Sequence, residues 1–204
     1  MNKNNLKIPL IGSVCLIILS AFSACQKSET SEISDILSFS DDTSAAAELV
    51  SNANEDLNKI KVMYKKNEVQ LEELKIAMGD KDIEKVKKIT DELVYVLNDG
   101  MKLGEDAIEK IGKAQAMNIN EDFKEYLRLK EESLRKYLDA FEHRRQAARL
   151  LRDSFGKNDP AQIEKAKVEF KVKEENFIKT MEAARDFSKK ANALAKESTK
   201  KVEK

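Results

Sequence analysis

Between Thr43 and Met78 the apolar residues fall alternately four and three apart: Ala46, Val50, Ala53, Leu57, Ile60, Tyr64, Leu71, Leu74 and Met78, with Asn67 filling the one polar place in the series. A repeat averaging about 3.5 residues lines one side of a helix and makes a helix-to-helix seam, whereas a half-buried strand needs a period of two. Three more stripes follow. The second passes through Val86, Ile89, Leu93, Val96, Leu97, Met101, Ala107, Ile108 and Ile111; the third through Phe123, Tyr126, Leu127, Leu134, Tyr137, Leu138, Phe141, Ala148, Leu151 and Phe155. The fourth runs Ile163, Ala166, Phe170, Phe177, Met181, Ala184, Phe187, Ala191 and Leu194. Six Gly and two Pro are too few for the turns of a sheet protein, while 41% hydrophobic residues suffice for a core.

The breaks between stripes carry helix-end chemistry. Gly79 is expected to end the first helix in the left-handed conformation that glycine adopts cheaply, with Asp80 or Asp82 capping the second. Asn118-Ile119-Asn120 marks the next turn. At the last, Gly156 ends a helix, Asp159 caps the following one, Pro160 takes the first helical position where no amide donor is needed, and Gln162 can close a capping box. Met78-Gly79-Asp80-Lys81-Asp82 and Phe155-Gly156-Lys157-Asn158-Asp159 are alike and each precedes Ile-Glu-Lys, a pattern that fits either a duplicated hairpin or recurring loop chemistry. Similar helices joined by short loops run antiparallel to their neighbours. The expected fold is all-α, an antiparallel up-down-up-down four-helix bundle with coiled-coil-like packing over 43–204. Its helices lie near 43–78, 82–117, 120–155 and 159–200, each about 50 Å long.

Upstream of Thr43 the chain changes character. Met1 to Lys7 holds Lys3 and Lys7 and no acid, Ile8 to Phe22 is apolar apart from Pro9, Gly12, Ser13 and Ser20, and Phe22-Ser23-Ala24 leads into Cys25. This is the layout of a signal peptide, and it is shorter than the about 20 apolar residues of a membrane-crossing helix. The segment resembles the lipobox signal of bacterial lipoproteins, with Phe22 where that pattern usually has Leu. The resemblance implies removal of residues 1–24, attachment of diacylglycerol and further acylation at Cys25, and an address in the bacterial cell envelope. Gln26, not being Asp, implies the outer membrane if the host is Gram-negative. Two or more acyl chains hold a protein durably where one does not, each buried methylene adding about 0.8 kcal/mol.

Cys15 leaves with the signal peptide, so Cys25 is the one cysteine of the mature chain and no internal disulfide can form. Loss of Lys3 and Lys7 leaves 35 basic against 37 acidic side chains, a balance that excludes nucleic acid as the partner. Residues 25–42 are rich in Ser, Asp, Glu and Thr and suit a tether with a reach of about 20 Å if flexible. Within it Ile33, Ile36 and Leu37 are spaced for a short amphipathic turn that can dock on the bundle.

The bundle itself offers little catalytic chemistry. Di-iron bundles need Glu-x-x-His pairs on facing helices, and this chain has one histidine, His143. There is no haem-attachment motif and no phosphate-cradling glycine loop, and nothing marks His143 as a base for a serine. No catalytic residue, metal or cofactor is therefore expected, and the chain reads as non-enzymatic. The pairs Glu72-Glu73, Glu131-Glu132 and Glu174-Glu175 are assigned to solvated faces, because adjacent helical side chains diverge by about 100°.

Two features point to contacts. Gly100 and Gly104 share one side of the second helix, where glycine costs up to about 1 kcal/mol, so they admit either a close helix neighbour or a small ligand in a groove. Six of the seven arginines fall in the third helix, and Arg145, Arg149 and Arg152 share a face by i, i+4, i+7 spacing. Guanidinium binds carboxylate or phosphate bidentately, so this face suits glutamates of neighbouring helices, an acidic envelope protein or an anionic envelope component such as lipopolysaccharide phosphate. The third stripe also places Lys130 and Arg144 at core positions. Arg144 is expected to share a polar layer with Asn67, at the height of Leu93 and Phe170. A lysine-rich C-terminus, from Lys189 to Lys204, is expected beside the tether, where it complements the helix dipole or an anionic leaflet. The murein lipoprotein also ends in lysine, a slight likeness that would imply wall attachment through Lys204.

Overall fold

The structure, a computed structural model, describes residues 42–157 and 159–202. The proposed signal peptide, Cys25, most of the tether with its Ile33-Ile36-Leu37 turn, and Lys204 lie outside the described residues. Within them the molecule is an all-helical bundle with no strand: α1 (Thr43–Asp80), α2 (Ile83–Gln115), α3 (Glu121–Gly156) and α4 (Pro160–Val202). α1 packs along α2, α2 along α3 and α3 along α4, as short connections require.

Side-chain caps start three of the helices. Asp82 Oδ1 accepts from Lys85 N–H at 3.0 Å, Asn120 Oδ1 from Phe123 N–H at 2.7 Å, and Asp159 Oδ1 from Ala161 N–H at 2.9 Å. Each satisfies one of the amide donors a helix start leaves open. The first break differs from the sequence expectation. Gly79 stays helical, and the left-handed residue is Lys81, at φ 57°, whose N–H returns to the Ala77 carbonyl. Ala77 is buried and Asp82 must reach the start of α2, so the reversal falls on the residue between Asp80 and Asp82. Lys157, following Gly156, is right-handed at φ −81°, so the two similar-looking breaks close differently.

The stripes meet in three core layers, each drawing on all four helices. At one end Ala46, Val50 and Ala53 meet Ala107, Ile111 and Ala114, then Phe123, Tyr126 and Leu127, then Ala191 and Ala195. The middle joins Ile60, Leu93, Leu97, Phe141, Phe177 and Met181, and the far end joins Leu74, Ala77, Val86, Ile89, Leu151, Phe155 and Ala166. From layer to layer the residue numbers climb along α1 and α3 and fall along α2 and α4. Burying each large side chain stabilises by about 1.5–3 kcal/mol, and the alanines of the first layer let backbones approach. Asp42 Oδ2 accepts from Asn118 N–H at 2.9 Å, which ties the start of α1 to the α2–α3 loop. Ala191 and Ala195 pack at that same end, so the start of α1 and the last turns of α4 lie together. No helix among the described residues is long and apolar enough to cross a membrane.

Candidate functional site

Arg145, Arg149 and Arg152 stand where α3 faces α2, and α2 engages two of them. Arg145 Nη1 donates to Asn98 Oδ1 at 2.8 Å while its other terminal nitrogen pairs with Glu142. About two turns further on, Arg152 Nη1 reaches Asp91 Oδ1 at 3.4 Å and its Nε donates to Asp153 at 2.8 Å. The hydrogen bond that Arg152 donates to Asp153, with a smaller contribution from Asp91, raises the Arg152 pKa against the opposing effect of burial. Arg149 lies between them, exposed, with no ion pair among the described side chains. Tyr95 of α2, placed between Asp91 and Asn98, is 67% exposed. The arrangement is a fixed pair of guanidinium groups bracketing a free one, beside an exposed phenol ring.

Arg144, one position from Arg145, turns the other way into the core. Its side chain is 4% exposed, and it grips Glu174 of α4 with two bonds, Nε to Oε1 at 3.1 Å and Nη2 to Oε2 at 2.8 Å. Its guanidinium carbon lies 3.6 Å from the centre of the Phe177 ring. Leu93 borders the same small void as Arg144, as the register implied. Phe170 does not share the layer; it packs a turn further on, with Leu74 and Leu151, because Glu174 and Phe177 occupy the level of Arg144. The Asn67 side chain lies outside the described residues. Glu174 is thus a core partner rather than part of a solvated face, while Glu175 is exposed. Glu131 is likewise engaged, by Arg135 within α3 and by Gln115 of α2. Lys130 is half-buried with its Nζ 5.4 Å from the Tyr126 ring centre.

A second buried charge was missed by the stripe. Asp56 has a side chain 7% exposed, between Lys110 of α2 and Lys59 of its own helix, the latter at 2.9 Å. The hydrogen bond from Lys110 holds its carboxyl below the usual carboxylate range against the opposing effect of burial, with Lys59 adding to the shift. The available signal was its place three residues after Ala53 and four before Ile60, on the flank of the seam. Thr90 and Ser133, also buried, are satisfied by carbonyls: Thr90 by Val86 at 2.7 Å, and Ser133 by Ala184 of α4 at 2.7 Å.

The two glycines of α2 serve different neighbours. A Cβ at Gly104 would stand 2.4 Å from Leu138 Cδ2, so this glycine lets α3 press against α2. A Cβ at Gly100 would meet only Phe141 Cε2, at 3.8 Å. The void beside Gly100, lined also by Ile60, Leu93, Leu97 and Arg144, is about 20 Å³. That is room for one water. His143 is half-exposed, and no cluster of metal-ligating side chains occurs among the described residues. Of the C-terminal lysines, Lys189 approaches Asp186 at 3.6 Å, Lys190 lies 5.4 Å from the Phe187 ring centre and Lys196 is exposed.

No protein-family model matches the chain, and no curated protein or solved structure matches it either.

Proposed function

We propose that the mature chain is a lipid-anchored protein of the bacterial cell envelope that acts as a non-enzymatic binding or scaffolding module. Its bundle is read as antiparallel up-down-up-down, supported by residue numbers that rise along α1 and α3 and fall along α2 and α4. The lipobox-like segment ending at Cys25 supplies the anchor. The hydrogen bond from Asn118 N–H to Asp42 ties the start of α1 to the α2–α3 loop and supports a tether that joins the bundle at that end.

Arg149 is the observation that carries the binding reading. Arg149 presents an exposed guanidinium, and α2 holds Arg145 and Arg152 on either side of it, so three cations are set along one face with the middle one open to a partner. The partner is an acidic protein surface or a phosphate-bearing envelope component, recognised by charge-assisted hydrogen bonds. Affinity capture from native envelopes should weaken about tenfold with Arg149→Ala and little more when Arg145 and Arg152 are also changed. Equal capture by wild type and both variants would remove this face from the account.

A further inference from the structure

The side of α1 turned away from the core carries an apolar stripe of its own. Val62, Val69 and Ile76 are 55%, 65% and 60% exposed and stand seven residues apart, so they form one line about 21 Å long. Exposed apolar residues aligned on one side of a helix suit an interaction surface better than scattered ones do. The charges beside the stripe change sign along it. Lys65 borders its first half, and Glu72 occupies the same heptad position one repeat later, with Glu73 next to it; Lys59 and Asp80 extend the pattern outward.

We infer that this face pairs with the same face of a second copy, antiparallel, about a two-fold axis at Val69. That axis sets Val69 on Val69 and Val62 on Ile76, and it brings Lys65 beside Glu72 and Lys59 beside Asp80 of the other copy, each within a residue of the same height. A parallel pair would set the lysine-bearing halves together and Glu72 of one copy against Glu73 of the other, which like-charge repulsion disfavours. The contact is self-complementary, as a two-fold interface must be. Lys59 already bonds the buried Asp56 yet is itself 59% exposed, and Glu72 makes an exposed pair with Lys75 of the weak, readily exchanging kind. A single stripe buries less than the about 1,000 Å² of a stable dimer, so the pair is weak and salt-sensitive. The starts of the two α1 helices lie about 80 Å apart, so a membrane-tethered pair lies along the surface. The pairing does not depend on the arginine face.

The test uses the mature chain with Cys25→Ser, which leaves no other thiol. Under mild oxidation Val69→Cys should cross-link with itself and Val62→Cys should not, while a mixture of Val62→Cys and Ile76→Cys should give the mixed dimer. Sedimentation equilibrium at low salt should show concentration-dependent dimer that weakens about tenfold with Glu72→Lys and returns when Lys65→Glu is added. Self-cross-linking at all three positions, a monomer at every concentration, or dimer unchanged by the charge reversal would each overturn the proposal.

Discussion

Arg144 shows how much a single side chain in this bundle depends on its partner. A buried guanidinium with two bonds to Glu174 and an aromatic ring beneath it is well placed, but removing it leaves a carboxylate half inside the core. Arg144→Ala should therefore lower unfolding free energy by about 3 kcal/mol in urea titration, and replacing both partners with Arg144→Met and Glu174→Leu should recover most of it. An unchanged midpoint for Arg144→Ala would contradict the buried pair. Asp56 gives the corresponding prediction in pH. Its carboxyl is depressed in the folded state, so its contribution is present above the unfolded carboxylate pKa and is lost as pH falls through the lower folded value. Asp56→Asn should be less stable than wild type at neutral pH, and the gap should close as the solution is acidified into that range. The third stripe placed Arg144 at the core in advance because its spacing is local to α3. Glu174 was not legible as the partner, since which of two adjacent glutamates turns inward depends on the rotation of α4 against α3.

At the scale of the helix, ends and glycines decide the outcome. Lys81 carries the left-handed turn and Gly79 an ordinary helical one, which reverses what the residue types favour. Lys81→Gly should stabilise by about 1 kcal/mol, and Gly79→Ala should also stabilise, because nothing lies near the added methyl. Destabilisation by both, seen as a fall in thermal midpoint, would show that the turn closes elsewhere. In α2, Gly100→Ala should gain about 0.5–1 kcal/mol from helix propensity with Phe141 at ordinary contact distance. Gly104→Ala should gain less, because Leu138 must swing aside, and Gly104→Val should lose stability. Helix positions were readable because the apolar period and the capping residues agree; the ends differ from expectation by only a residue or two. The turn conformation was not readable, because the burial of Ala77 and the cap at Asp82 together fix it.

Over the described residues the molecule is an all-helical bundle whose layers follow the stripes read in order, while neither the exposed Arg149 nor the buried Asp56 could be assigned before the helices were packed. Charge and apolar spacing specify which face of each helix is buried; they do not specify which polar group finds a partner across an interface. The proposed envelope role rests on the segment that ends at Cys25 and is compatible with a bundle in which the start of α1 and the last turns of α4 lie at one end. Its most direct test is metabolic labelling with an alkyne fatty acid in a lipoprotein-processing bacterium, followed by membrane fractionation. Wild type should carry the label and sediment with membranes, and Cys25→Ser should lose the label and appear as soluble envelope protein or unprocessed precursor. An unlabelled wild type, or label retained after Cys25→Ser, would contradict the anchor and with it the envelope account.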